Sequence, residues 1–415
     1  MRANIAGAIV AAAALIEPVA LTRYLVIPTA IGSHDRAPCR PVLSEDGRIV
    51  AFEADGALVA ADRNGTSDIY VFDRQRQTIT LASRAWHGAA GRGASRCPSL
   101  SGDGQRVVFE SDAPDLVQGD DADTADVFYF DLASQRVVRL SQWPDDRIAW
   151  STGAAISADG RVAVFQSRRV ESDAASPLRV FRVDVEGLGP IEDLGKGFGP
   201  TVNQDGRTVA YRSTEGSRTA TGRVLTGLFV REVGTAPLGV ADAALEELAL
   251  SADGQWLTYV SRATNLLPGR LLSGRPHVYL EDVTDRTRFL ITADMEGREA
   301  NGYSRQPTVD ATAARVMFES TATNMGCGQA GPKCSADLNL VADIFSWERT
   351  TGRITRVNVV TPTLPWLGVS TAPAVSFNGL VMAFFSCQPV ADEDDRGTFD
   401  LFMVGPDAAA SPHKR

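Results

Sequence analysis

The sequence predicts an all-β fold: a seven-bladed β-propeller with four antiparallel strands per blade, closed by the N-terminal strand pairing with the last blade. Three observations predict it. A hairpin-like segment recurs along the chain, a second strand-like segment follows each copy, and the last unit lacks a strand that the N-terminus has to spare.

The hairpin is clearest in "PVLSEDGRIVAFEAD" from Pro41 and "PSLSGDGQRVVFESD" from Pro98. It returns from Ala154, Pro200 and Leu248, and in weaker form from Pro307 and Pro373. Asp-Gly or Asn-Gly between two short alternating apolar runs is a strong local signal for a tight hairpin, because the turn needs positive φ. The copy at Pro307 has Thr312-Ala313 there instead, so its turn is the least expected of the set.

The second half of each unit carries a third strand: "DIYVFD" at Asp68–Asp73, "DVFYFD" at Asp126–Asp131, then Arg179–Asp184, Gly227–Glu232, His277–Asp282, Asp343–Glu348 and Asp400–Gly405. A polar turn leads to a fourth strand such as Thr78–Ser83 or Arg136–Ser141. Four short antiparallel strands repeating at roughly 50 residues is the sequence form of a propeller. The unit ending at Val404 has no fourth strand, whereas Tyr24–Ile27 is a fourth strand with no unit before it. These two segments are expected to pair. The domain is then 21–405, with 406–415 a disordered tail.

Composition narrows the function. The chain has 415 residues, 44% of them hydrophobic, enough for a large core. A net charge of −10 disfavours nucleic acid, whose binding needs phosphates neutralised by Lys and Arg. Residues 1–20 read as a signal peptide with an apolar stretch at Ile5–Ile16, which places the protein in the periplasm or outside the cell. No further run is long and apolar enough for a membrane span. The five cysteines suit disulfides in an exported chain. Cys327 and Cys334 share a short loop, Cys39 and Cys97 hold equivalent places in successive units, and Cys387 is left over. With no CxxC, zinc is not expected.

The long connections, between strands two and three and between units, share one face of the disc with a channel mouth. Function on a rigid frame resides in such loops. Calcium is the candidate ion there. Its oxygen ligands would come from Asp62, Asn64 and Asp68; Asp120, Asp123 and Asp126; Asp337, Asn339 and Asp343; and Asp394, Asp395 and Asp400. The competing reading is that these Asx residues cap turns and lead the chain into strand three. The acids that end strand three, Asp73, Asp131, Asp184, Glu232, Asp282 and Glu348, recur too regularly for catalysis and are expected to make a structural hydrogen bond. His34, His87, His277 and His413 fall in loops or framework positions. "GVSTA" at Gly368–Ala372 is not a nucleophile elbow. Trp86, Trp143, Trp150 and Trp366 lie in or near inter-unit connections, where packing across blade boundaries competes with a binding surface.

The pattern "P-x-apolar-Ser-x-Asp-Gly" followed by "Asp-[Ile/Val]-[Tyr/Phe]" resembles the TolB-type, WD-like bacterial propeller repeat over nearly the whole span from Thr22 to Val404. The resemblance implies an exported propeller that binds other proteins or scaffolds the cell envelope. It implies no identity with TolB, which joins a small α/β domain to six blades. The expected function is therefore a non-catalytic, monomeric binding or scaffolding propeller whose partners are envelope proteins. The alternative is a propeller enzyme, lactonase-, hydrolase- or polysaccharide lyase-like, with a metal or acidic site at the channel mouth.

Overall fold

The computed structural model describes residues 25–32, 38–120, 124–142, 148–171, 174–175, 177–186, 189–213, 227–232, 238–240, 245–294, 296–325, 341–358, 368–387 and 398–405. Its strands form seven antiparallel sheets, each pairing in the order first, second, third, fourth strand. Blade 1 shows the plan: Val42–Leu43, Ile49–Ala54, Asp68–Asp73 and Thr78–Leu81. Blades 2 to 6 follow along the chain, with first strands at Ser95–Leu100, Ile148–Ile156, Phe198–Val202, Leu245–Leu250 and Ser304–Val309.

The expectation of seven regular four-stranded units is corrected in its regularity, at blade 3, while the closing of the ring by the N-terminal strand is as expected. Only six sheets are built from one continuous stretch of chain. The other is composite: Ser370–Val375, Met382–Ser386 and Thr398–Val404 are joined by the N-terminal strand Leu25–Gly32. Blade 3 has a fifth strand. Its second strand, Val162–Glu171, runs ten residues and overhangs the sheet, so Val170 and Glu171 take Ala175 and Ala174 as partners.

The closing pairing is longer than the four residues expected. Leu25 to Pro28 face Met403 to Asp400, the register shifts, and Ile31 and Gly32 continue against Phe399 and Thr398. Tyr24 lies outside the described residues. The closing strand buries Leu25, Ile27 and Ile31 in a cluster with Phe385, Leu401 and Met403, so apolar alternation fixes which face turns inward.

The hairpin turns are tighter in their demands than the sequence argument supposed. Positive φ falls on the glycine alone, at 71° in Gly47 and 72° in Gly104, while the preceding Asp uses its side chain. Asp46 Oδ1 accepts from the Arg48 amide at 2.9 Å and from the Ser44 hydroxyl at 2.7 Å. Glycine is needed for space as well, because a Cβ on Gly47 would stand 2.4 Å from Val381 of the neighbouring blade. The copy without glycine still turns, with Ala313 at φ 54°.

These turns form a belt. Backbone bonds run Glu45 to Gly102, Gly102 to Ala158, Asp159 to Gln204, Gln204 to Ala252, Asp253 to Ala311, Ala311 to Phe377, and Asn378 back to Glu45, at 2.7–3.2 Å. Inside the belt lies the axis. The apolar residue of each "P-x-apolar-Ser" motif, Leu43, Leu100, Ile156, Val202, Leu250, Val309 and Val375, lines a cavity of about 160 Å³. Phe377 lines it from the turn side and Arg40 from the loop side.

Candidate functional site at the loop-side channel mouth

In blades 2, 3, 4 and 6 and in the composite blade, the first strand enters from the loop side through a β-bulge, and the residue before the proline position takes positive φ: Cys97 52°, Gly153 65°, Gly199 59°, Gln306 51°, Ala372 54°. The bulge turns that residue's N–H toward the preceding blade, where a side chain accepts it. Glu53 accepts from Cys97 at 3.4 Å, Glu110 from Gly153 at 2.6 Å and Gln166 from Gly199 at 2.8 Å. Glu247 accepts from the Gln306 amide, and Gln306 Oε1 from the Ala372 amide at 2.6 Å. Glu319 takes the Thr371 hydroxyl and the guanidinium of Arg305, 2.5 Å away. Glutamate suits this place because it reaches across a blade boundary to an amide that water does not reach.

Arg40 crosses the mouth. It belongs to blade 1, yet its Nη1 donates to the Pro307 carbonyl of blade 6 at 3.0 Å. Burial lowers the guanidinium pKa, and the charge of Glu247 opposes that shift. Burial pushes the Glu110 carboxyl up to about 7, with the charges of Asp112 and Glu53 adding to the rise and the Gly153 amide and Arg96 working against it. Glu319 is raised by the same cause. Beside this belt the sulfurs of Cys39 and Cys97 are joined, linking the entries to blades 1 and 2. Glu53 lies against them, and the three donor groups fall within 4.8 Å of one another.

None of Arg40, Glu53, Glu110, Glu247 and Glu319 was singled out from the sequence. The signal was present: the residue after the strand-two aromatic is Glu in "FEAD", "FESD" and "FEST". Read within one unit it looks like an exposed strand position. Its partner belongs to the next blade.

The calcium candidates are distributed differently. Asp62 accepts the Tyr70 hydroxyl and the Asn64 amide, the latter at 3.3 Å. Asn64 donates to Asp68 Oδ2 and to the Gly91 carbonyl, both at 2.7 Å. Asp68 also takes the Ser83 hydroxyl at 2.5 Å, and burial brings its carboxyl up to about 7. In blade 2 the Arg139 guanidinium stands between Asp120, at 3.0 Å, and Asp126, at 2.7 Å. In blade 6 Arg356 meets Asp343 at 2.6 Å. Asp400 accepts from the Thr29 amide at 3.4 Å. Asp123, Asp337, Asn339, Asp394 and Asp395 lie outside the described residues, as do Cys327, Cys334, His34, His413, Trp143 and Trp366.

The Asp that opens strand three follows one rule. It holds the residue ending strand four, which in turn holds the next amide of strand three: Asp126–Ser141–Val127 and Asp343–Asn358–Ile344, at 2.6–3.1 Å. His277 takes the same place in blade 5, with Thr292 at 3.1 Å and Glu299 at 3.2 Å. Of the acids that end strand three, Asp73, Asp131, Asp184, Asp282 and Glu348 cap the following turn. Asp73 accepts from the Gln75 and Arg76 amides and from Arg48, and Asp131 from Ser134. Trp86 is 60% exposed and Trp150 38%, so neither is buried at a blade boundary.

No protein-family model matches the sequence, and no curated protein matches it. Solved structures show the fold. The chain is similar to the β-propeller domain of the Trilobed protease from Pyrococcus furiosus, described as having an open velcro topology, at 12% identity and a TM-score of 0.55, over 88% of this chain and 91% of that one. It is similar to an oligogalacturonate lyase in complex with manganese at 17% identity and a TM-score of 0.54, over 92% and 90%. TolB from Acinetobacter baumannii is 20% identical with a TM-score of 0.39, over 60% of this chain and 52% of that one. The likeness is one of fold. No helix among the described residues is long and apolar enough to cross a membrane.

Proposed function

We propose that this chain is an exported, monomeric binding propeller that engages a protein of the bacterial cell envelope through its long-loop face. The observation that carries the reading is the belt at the channel mouth. Its carboxylates are committed to the backbone amides and hydroxyls of neighbouring blades, and Arg40 is tied across to Pro307. A mouth built this way is a frame, and recognition falls to the loops around it. The reading is tested by capturing partners from an envelope extract with the whole chain. Recovery of a defined protein that competes with substitutions in the loops supports it; recovery of nothing, together with turnover of a sugar or ester, overturns it.

One observation favours the second reading, an enzyme with an acidic site at the mouth. A buried carboxyl near 7, as in Glu110, is poised to exchange a proton at physiological pH. Activity on a lactone or polysaccharide that disappears in Glu110→Gln would establish it. Calcium, if bound, has its best oxygen set in blade 1 at Asp62, Asn64 and Asp68, since guanidinium groups already face the acids of blades 2 and 6. A calcium-induced rise in melting temperature that EGTA reverses is the measurement.

A further inference from the structure

Away from the mouth, the outer rim between blades 1 and 2 holds a concave groove of about 570 Å³. It is lined by Arg84 and Trp86, which follow the last strand of blade 1, by Gln118 from a loop of blade 2, and by Gln135 and Arg136 from that blade's outer turn. The volume falls within the range of small-molecule sites, roughly 300–1,000 Å³.

Three features set this groove apart. The indole of Trp86 is 60% exposed although it lies in a concavity. Its backbone is fixed, with the amide donating to the Asp115 carbonyl oxygen at 3.1 Å. In a chain of net charge −10, the groove lining contains two guanidinium groups and no carboxylate. The nearby Asp115 is not among the lining residues, and its carboxylate is already engaged by Arg92 at 3.2 Å and by His87 at 3.5 Å. Arg84 donates to the Gln135 side-chain oxygen at 2.9 Å, a neutral partner that positions the guanidinium without cancelling its charge.

We propose that this groove binds an acidic oligosaccharide, one bearing uronate carboxylates. The flat indole face receives the C–H face of a pyranose ring, an amphipathic match of the kind that exposed tryptophan provides. Gln118 offers an amide donor and acceptor for ring hydroxyls, while the Gln135 amide, bonded to Arg84 and to the Leu132 carbonyl at 2.9 Å each, holds the guanidinium in place. Arg84 and Arg136 take the carboxylates, for which the guanidinium fork is suited. An acidic peptide would satisfy the two arginines but has no flat saturated ring for the indole. The site lies apart from the channel mouth, so its failure would leave the loop-face reading standing.

The test is titration calorimetry and tryptophan fluorescence on the whole chain. The probes are a mannuronate tetramer, a neutral glucose tetramer and a tetraglutamate peptide, each at low and at physiological salt. The expected result is binding of the mannuronate tetramer with an emission change. Binding should weaken at least tenfold in Trp86→Ala, recover in Trp86→Tyr, and lose most of its salt dependence in Arg84→Gln/Arg136→Gln. Trp86 is a surface side chain, so unchanged melting confirms that each variant is folded. Absence of binding, undiminished binding in Trp86→Ala, or equal binding of tetraglutamate would overturn the proposal, the last by assigning the groove to an acidic peptide.

Discussion

The hydroxyl of Thr29 donates to the carbonyl of Phe399 at 2.6 Å, joining residues 370 positions apart in the chain. Thr29 is fully buried, and its own carbonyl accepts the amides of Asp55 and Gly56 from blade 1 at 2.9 and 3.0 Å. One residue therefore ties the last blade to the first strand and to the next blade.

Removing that strand opens the ring. Leu25, Ile27 and Ile31 each contribute about 1.5–3 kcal/mol by burial. That is comparable with the whole net stability of a domain, about 5–15 kcal/mol. A chain beginning after Gly32 is expected to lose cooperative melting, and Ile27→Asp to melt far below wild type. Wild-type melting in the shortened chain would refute the closing role.

The Cys39–Cys97 bond spans 58 residues and ties the entry of blade 1 to that of blade 2. Its removal by Cys39→Ser/Cys97→Ser should cost about 2–4 kcal/mol, mainly by freeing the unfolded chain. Chemical denaturation of oxidised and variant protein checks this, with equal midpoints as the contrary result.

Glu110 sets a pH dependence. Its folded-state pKa, about 7, lies above the ordinary glutamate value of about 4.3, so the fold prefers the protonated form. The resulting stability is full below about pH 4 and is lost as the pH rises through 7. Asp68, also raised to about 7, adds to the slope. Glu110→Gln keeps an acceptor for the Gly153 amide but has no proton to lose, so its melting temperature should fall less than wild type between pH 5 and 8. Parallel curves would show that Glu110 titrates elsewhere.

Asn358 joins three partners: Asp343 at 2.6 Å, Ser370 of the next blade at 3.0 Å, and the Ile344 amide at 3.0 Å. Asn358→Ala leaves a buried carboxylate and an amide short of partners, at a cost of about 1–3 kcal/mol for each orphaned group. Asn358→Ser should recover part of it, because Ser141 and Ser83 do the same work in blades 2 and 1. Denaturant midpoints of the two variants decide the matter.

The framework was open to sequence reasoning because it is local. Asp-Gly between alternating runs specifies a hairpin by the φ of one residue and the period of its neighbours, and Gly47 and Leu43 stand where that logic puts them. The pairing of Cys39 with Cys97 was legible for the same reason, since equivalent positions in successive repeats become neighbours when repeats stack. The acidic loops were harder. The oxygens of Asp120 and Asp126 looked like free ligands until Arg139 was placed between them.

By itself the sequence determined the repeat, its strands, its turns and the need for the two ends to meet, because each depends on residues within a few positions or on a missing partner. Only the tertiary structure decided what the blade boundaries contain. Glu53 and Glu110 meet amides of the next blade, Arg40 reaches across the axis to blade 6, and Trp86 stays exposed beside two arginines. Those relationships join residues tens to hundreds of positions apart. The recurring Glu after the strand-two aromatic marks one side of such a contact, but the partner is set by how each sheet is rotated against its neighbour around the ring.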